Sequence, residues 1–167
     1  MRSLELKTYP EPCLRIKTKR VEKFDRSLKD ILKEMSDIMY PSGGIGLAAT
    51  QVGLGLDILI ADIGEGLRAF INPEVVETSG RKTVLEEGCL SLPGVTVEVP
   101  RPERIKVKAL DEKGEAFVKM YDGLMAKVLQ HEIDHLSGKL IIDYLNPVRA
   151  FFAKRKLVRS KREAVRE

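Results

Sequence analysis

Both histidines of this 167-residue chain lie in one short stretch, Gln130-His131-Glu132-Ile133-Asp134-His135-Leu136. An α-helix turns once about every 3.6 residues, so two residues four positions apart project from the same face. Two imidazoles at this spacing can bind one metal ion, and Glu132 is close enough to act on water held by that ion. The alternative is a helix with two exposed histidines and no metal. We predict a metal-binding helix.

The residues on either side of this stretch extend the helical pattern. Leu124 and Val128 continue the face that carries His131 and His135, at steps of three and four residues. Gly138 follows as a C′ residue, because glycine adopts the left-handed conformation without a Cβ penalty. An apolar stripe that becomes a histidine pair predicts a core-facing helix whose metal site is partly buried.

A catalytic zinc or iron ion needs three protein ligands and one open position. No histidine follows His135, but an upstream segment, Glu87-Gly88-Cys89-Leu90-Ser91, contains one of the two cysteines. A soft thiolate with two imidazoles suits zinc or ferrous iron. Cys89 could instead be a buried small hydrophobe, which is how we interpret Cys13. A Cys13–Cys89 disulfide would fit only an oxidising compartment.

The remaining sequence has mixed helical and strand periodicity. Apolar residues at helical spacing predict a helix from about Ser27 until Pro41 ends it. The glycine-rich segment 42–46 lacks the ending of a phosphate-binding loop, so its glycines more simply allow close backbone approach to a ligand. β-rich runs predict strands at 57–61, 67–71, 75–78, 104–110 and 115–121, the last two joined by a hairpin turn at 111–114. The pattern predicts an α+β fold with antiparallel sheets packed around a central metal-binding helix, followed by a C-terminal helix.

Three segments together resemble the three motifs of the peptide deformylase family. They occur in the family's order and at its separations, and the resemblance also covers the linking regions, from about the first ten residues to Asp143-Tyr144-Leu145. It thins out in the tail. We therefore expect a catalytic domain over residues 1–147 and a basic C-terminal helix over 148–167 that is continuous with it. The three segments are Gly44-Ile45-Gly46-Leu47-Ala48-Ala49-Thr50-Gln51, Glu87-Gly88-Cys89-Leu90-Ser91 and Gln130-His131-Glu132-Ile133-Asp134-His135-Leu136.

The resemblance implies hydrolysis of the N-formyl group from the starting methionine of new polypeptides, with release of formate. A divalent ion on Cys89, His131 and His135 would hold the water that attacks the formyl carbon, with Glu132 as general base and then acid. The resemblance assigns oxyanion stabilisation to the Gln51 side-chain amide and the Leu90 backbone N–H. It implies Fe²⁺ in the cell, while Zn²⁺ or Ni²⁺ could replace it in purified protein.

Further residues are expected to contact the substrate or to support the ligands. Ile45, Leu124 and Val128 fall where the motifs place the walls of a methionine pocket, although ordinary core packing would explain each of them. Gly46 and Gly88 are expected to pair with the peptide backbone as in a strand. Glu87 is expected to hold a ligand histidine or to pair with Arg101; a surface salt bridge is the simpler alternative.

Composition singles out the glutamines. Charged residues make up 32% of the chain, and the only two glutamines are Gln51 and Gln130. Few amides among many charged residues are typical of heat-adapted proteins. Both glutamines fall inside the motifs, which indicates that their amides do something a charged residue cannot.

The positive charge is concentrated in the tail. Residues 148–167 contain eight basic and two acidic side chains, a net charge of +6, whereas the whole chain carries +4. A solvated helix with a charged outer face would explain this. The resemblance also implies docking on ribosomal RNA near the exit of nascent chains, with no membrane or DNA partner. We find no apolar run long enough to span a bilayer and no signal peptide, so we expect a cytoplasmic protein with reduced thiols.

Two other functions share some of these features. A zinc peptidase also uses a histidine pair on a helix, but its third ligand lies downstream, where this chain has no histidine. A non-enzymatic module with a structural metal would close its site with four protein ligands. The motifs here offer one cysteine and two histidines, which indicates an open site.

Overall fold

A computed structural model describes residues 3–164. It contains three α-helices and seven strands, which confirms the predicted α+β class. None of its helices is long and apolar enough to cross a membrane within this described range. The helices are α1 (Arg26–Met39), α2 (Gly123–Leu136) and α3 (Pro147–Ala164), and the strands are β1 (Gly46–Ala48), β2 (Ile58–Ala61), β3 (Arg68–Thr78), β4 (Lys82–Gly88), β5 (Thr96–Pro102), β6 (Arg104–Leu110) and β7 (Ala116–Asp122).

The strands form two antiparallel sheets, a five-stranded sheet in the order β1-β2-β3-β6-β7 and a separate β4-β5 ribbon. Side chains alternate between the two faces of a strand, and β2 shows this directly. Leu59 packs with residues of α2, whereas Ile58 and Ile60 pack with residues of α1. The large sheet is therefore covered by α1 on one face and by α2 on the other.

Helix α2 also contacts the β4-β5 ribbon, so it lies between the two sheets. Met125 and Leu129 pack against the large sheet. On the ribbon side, the Gln130 amide donates to the Pro102 carbonyl at 3.1 Å and to the Ala126 carbonyl at 2.9 Å. Gln130 therefore ties α2 to the end of β5, a role for which an amide donor is suited and a carboxylate is not.

Helix α1 follows its prediction closely. The Asp25 carboxylate accepts from the Ser27 N–H at 2.9 Å, which caps the first turn. Leu28, Leu32, Met35 and Met39 are buried along one face, and the helix ends two residues before Pro41. The predicted helix from about Ser27 to Pro41 is confirmed.

The strand prediction was wrong in three places, at β3, at the β4-β5 ribbon and at β1. Runs 67–71 and 75–78 form a single strand, β3, which has an irregular register after Ile71. Asn72 lies there with a φ of 52°, and its side chain bonds both the N–H and the carbonyl of Val21. Asn72 and Pro73 thus form a bulge within one strand, and the distant Val21 holds this bulge in place. The local sequence had indicated two separate strands here.

The β4-β5 ribbon was not predicted. β5 contains two prolines, which argue against a strand in the middle of a sheet but are compatible with a two-stranded ribbon that has a free edge. At alternate positions of β5, the side chains of Val97, Val99 and Arg101 are buried in the protein interior. The valines alternate with Thr96 and Glu98 as expected of a strand, so the prolines are the part of the sequence that argues against β5. Strand β1, which begins inside the glycine-rich segment, was also missed.

Gly138 ends α2 as predicted, and its conformation excludes other residues. Its φ is 76°, and a Cβ at this position would lie 2.6 Å from the Arg15 carbonyl oxygen. The contact joins the end of α2 to the N-terminal segment, where the Thr18 N–H also donates to the Leu136 carbonyl at 3.0 Å.

We predict that Gly138→Ala lowers the free energy of unfolding by about 1–3 kcal/mol, because a left-handed backbone and a backbone clash are combined. Urea unfolding of the metal-loaded protein measures this. Gly80→Ala is the matched control, since Gly80 has no positive φ and no atom within 4 Å of an added Cβ. Equal stability of the two variants would contradict the prediction.

Candidate active site

Two histidines of α2 and one cysteine from the turn after β4 converge at one point. The possible ligand atoms of Cys89, His131 and His135 all lie within 4.8 Å of one another. The Cys89 Sγ is 3.3 Å from the His135 Nε2, and His135 is almost fully buried. A thiolate with two imidazoles is a donor set for zinc or ferrous iron, so these residues fit one such ion.

The orientation of His131 is set by an acidic partner. The His131 Nδ1 lies 2.9 Å from the Glu87 Oε2, so it donates to the carboxylate and leaves Nε2 to serve as a ligand. Glu87 is the last residue but one of β4, two residues before Cys89. The end of β4 therefore supplies Glu87, which orients His131, and leads directly to the candidate ligand Cys89.

A buried network holds Glu87 in turn. Arg101 donates to the Glu87 Oε2 at 2.9 Å and to the Asp134 Oδ2 at 3.0 Å, and the Tyr144 hydroxyl donates to the same Asp134 oxygen at 2.7 Å. Burial opposes ionisation of Glu87, but its hydrogen bonds with Arg101 and His131 outweigh burial and lower its pKa to about 2. Glu87 is therefore an anion at neutral pH and a lasting acceptor for the His131 N–H.

Glu132 is a buried carboxylate beside the ligand cluster. It is 4% exposed, and within residues 3–164 its Oε2 has no hydrogen-bond partner. Burial raises the pKa of Glu132 to about 7. A Cβ on Gly46 would lie 2.6 Å from the Glu132 Oε1, so the glycine at this point of β1 lets the strand approach the carboxylate.

Gln51 and Leu90 place N–H donors on the other side of the cluster. The Gln51 Oε1 accepts from the Ala48 N–H at 2.8 Å, which fixes the amide so that Nε2 faces the site. This Nε2 lies 3.2 Å from the Ser91 Oγ and 3.6 Å from the Cys89 Sγ. The Leu90 N–H donates to no backbone carbonyl in the described part of the chain. Both groups can therefore donate to a ligand beside Cys89.

The cluster opens into a cleft of about 460 Å³ between α2, the end of β4 and the segment that leads into β1. Its walls combine backbone from the glycine positions with apolar side chains from α2 and β4. All five residues predicted to contact substrate line it: Ile45, Gly46, Gly88, Leu124 and Val128.

Comparison with known proteins agrees with this geometry. The sequence model of the family described as "Polypeptide deformylase" matches residues 3–151. The chain belongs to this deformylase family.

Curated members and solved structures of the deformylase family resemble the chain over almost its whole length. A peptide deformylase of Burkholderia multivorans is 42% identical over 97% of this chain and 91% of its own length. One from Clostridium botulinum is 49% identical over 83% of this chain and 93% of its own length. The crystal structure of a peptide deformylase from Legionella pneumophila superimposes with a TM-score of 0.92 at 42% identity and covers 98% of both chains. The chain is an enzyme of this family.

The structure also brings to the deformylase site three residues for which no role was predicted. Ser91 is fully buried and bonded to Gln51, and Asp134 and Tyr144 complete the network around Arg101. Ser91 and Asp134 lie inside the quoted motifs, so position alone could have suggested them. Tyr144 could not be inferred, because its contacts join segments distant in sequence. Cys13 and Cys89 are both free, and Cys13 packs in an apolar cluster, as we interpreted it.

We predict that Glu87→Gln lowers the affinity of the site for Zn²⁺ or Co²⁺ by about 10- to 100-fold, because loss of the anion weakens the orientation of His131. Competition with a chromophoric chelator measures this. Glu98→Gln is the control, since this glutamate is exposed on β5 and is not among the residues that line the cleft. An unchanged affinity in Glu87→Gln would show that His131 is oriented without the carboxylate.

Proposed function

We propose that this chain hydrolyses the N-formyl group on the N-terminal methionine of newly made polypeptides, giving formate and a free amine. The observation that carries the proposal is Glu132. It is a buried carboxylate with an unpartnered oxygen among the described residues, and it adjoins three convergent metal ligands at the closed end of a cleft. Membership of the deformylase family supports the same reaction.

Cys89, His131 and His135 would hold one divalent ion. The cluster has no fourth histidine, cysteine or carboxylate ligand within residues 3–164, which favours an open catalytic site over a closed structural one. When bound, the ion would supply Lewis-acid activation of water and of the formyl carbonyl. The soft thiolate favours Fe²⁺ in the cell, with Zn²⁺ or Ni²⁺ as replacements in purified protein.

Glu132 moves the proton. Its Oε2 takes a proton from the attacking water as the C–O bond forms, and returns it to the nitrogen as the C–N bond breaks. The products are formate and the amine of methionine. Gly46 keeps the backbone close to the other carboxylate oxygen, which holds Glu132 in one orientation.

Gln51 and Leu90 stabilise the developing negative charge. The Gln51 Nε2 and the Leu90 N–H donate to the formyl oxygen as it becomes an oxyanion. Ser91 serves as a positioning residue, because its hydroxyl lies in contact with the Gln51 amide.

The cleft accounts for the substrate. A formyl carbon carries only hydrogen as its substituent, so walls close to the site exclude larger acyl groups. The methionine side chain lies between Ile45, Leu124 and Val128. The peptide backbone pairs with Gly46 and Gly88, since β1 is an edge strand of the large sheet and can accept one more strand.

We predict that Glu132→Gln keeps stoichiometric metal and lowers formate release by at least about 10²-fold, because a positioned acid–base group is lost while the ligands remain. Metal analysis of anaerobically purified protein and a formate assay on formyl-Met-Ala-Ser measure the two effects. Cleavage of internal peptide bonds by the wild-type chain, without formate release, would favour a zinc peptidase instead.

Cys89→Ala and His135→Ala should lose metal and activity together, because each removes one of three ligands. Cys89→Asp offers oxygen in place of sulfur, so it should shift the metal preference towards harder ions. Stoichiometric metal with full activity in Cys89→Ala would overturn the ligand assignment.

The basic tail provides a further contact in this proposal. Leu157 of α3 is buried with Leu14 and Ile142, which supports treating residues 148–167 as continuous with the catalytic domain over 1–147. Arg166 and Glu167 lie outside the described residues. The outer face of α3 carries exposed arginines beside exposed Phe151 and Phe152. We propose that this face docks on ribosomal RNA in the cytoplasm, close to emerging formylated chains.

We predict that the triple variant Arg149→Gln, Arg155→Gln, Arg162→Gln lowers ribosome affinity at least about tenfold at low salt, with little change in turnover of formyl-Met-Ala-Ser. Cosedimentation with ribosomes measures the affinity. The control removes the same charge elsewhere, at exposed Lys23, Lys29 and Lys113. Equal losses in the two variants would show that only net charge matters. Substitution is preferable to truncation, which would uncover the core around Leu157.

A further inference from the structure

Lys127 is a buried lysine on the cleft-facing side of α2. It is 8% exposed, lines the cleft, and donates from its Nζ to the Thr83 Oγ1 of β4 at 2.5 Å. It forms an ion pair with no carboxylate in residues 3–164. Burial of an ammonium is costly without hydrogen bonds, and lysine is rarely buried. The burial of Lys127 must therefore be explained by the two elements, α2 and β4, that its side chain connects.

The Lys127–Thr83 bond joins the same helix and strand as the His131–Glu87 bond beside the ligand cluster. Lys127 precedes His131 by four residues on α2, and Thr83 precedes Glu87 by four residues on β4. Four residues advance about 6 Å along a helix and about 13 Å along a strand. The two bonds are therefore spaced unequally on the helix and on the strand, and the long, flexible lysine side chain can reach across this difference.

The space between these two cross-links is apolar. Val128 of α2 and Leu85 of β4 lie between them in sequence and line the cleft, together with Leu124. Leu85 and Leu124 are 47% and 51% exposed, so each presents an uncovered apolar surface to this space. A side chain that enters from the metal end extends along these residues towards Lys127.

We propose that Lys127, held in place by its hydrogen bond to Thr83, forms the end wall of the side-chain pocket and sets the length of the first side chain that the enzyme accepts. The inference rests on the proposed deformylase function, which places methionine in this cleft. The lysine stem closes the end, and the bond to Thr83 fixes the spacing of α2 and β4 there. Thr83 is a specificity-determining residue through its hold on Lys127, although it does not itself line the cleft.

The test compares kcat/KM for two formylated tripeptides, one starting with methionine and one with α-aminooctanoate, whose unbranched side chain is longer. In Lys127→Ala, the ratio of the longer to the methionyl substrate should rise about tenfold, since pocket contacts worth one or two methylenes change discrimination by that order. Thr83→Val keeps the shape of the side chain but removes the acceptor, and should shift the ratio in the same direction by a smaller factor. Lys82→Ala, on an exposed neighbour in β4, should leave the ratio unchanged.

If the kcat/KM ratio of the longer to the methionyl substrate is unchanged in both Lys127→Ala and Thr83→Val, the proposal that Lys127 forms the end wall is wrong. If Lys127→Ala does not fold, the ratio in Thr83→Val alone decides the question. Absence of formate release by the wild-type chain would overturn the proposed function instead. Calorimetric binding of the two deformylated peptides to metal-loaded protein needs no turnover and then decides the end wall. A gain in affinity for the longer peptide in Lys127→Ala supports it, and equal affinities in the variant and wild type overturn it.

Discussion

The structure depends on the burial of polar side chains on α2, a helix that is also the centre of the apolar core. Burial of ionisable groups without partners costs several kcal/mol each. Helix α2 carries His131, Glu132 and His135 on its inner side, and Met125 and Leu129 pack on the large sheet. The β4-β5 ribbon packs on the polar side of α2, so the buried polar side chains of this helix have partners there. The ribbon supplies charged partners to the buried polar groups of α2, which an apolar sheet surface could not do.

Arg101 is the main such partner, and its position explains why the ribbon is needed. It projects inward from β5, and its side chain is 4% exposed. It contacts Glu87 of β4 and Asp134 of α2 at once. One guanidinium therefore joins both strands of the ribbon to the helix, which suits its planar, multiply donating geometry better than a lysine ammonium. Through Glu87 this network reaches His131, so the support of the ligand and the packing of the ribbon are the same set of bonds.

The residues of the candidate site could be predicted from the sequence far better than the ribbon that holds them. Helical spacing fixes the relation of His131, Glu132 and His135, and the motifs place Cys89 and Gln51 beside them. The local signal for β5 is mixed, because Val97 and Val99 alternate with polar residues as in a strand, whereas Pro100 and Pro102 argue against one. Asn72 shows the same limit, since its bulge is held by Val21, 51 residues away. The Lys127–Thr83 bond is a further contact without a local signal, since the two residues are 44 positions apart.

The cleft follows from the same arrangement. The two sheets are not hydrogen-bonded to each other, so a gap, here called the seam, remains beside α2 where a sheet ends. Strand β1 begins and strand β4 ends beside this helix. Backbone groups at a strand edge are unpaired. The seam therefore offers backbone N–H and carbonyl groups along its edges and apolar side chains along its walls. An extended peptide needs both, one for its backbone and one for its first side chain. The ligand cluster lies where α2 and the turn after β4 meet beside this seam. The candidate metal ligands, Glu132 and the free strand edges thus come together because a polar-faced helix lies between two unequal sheets.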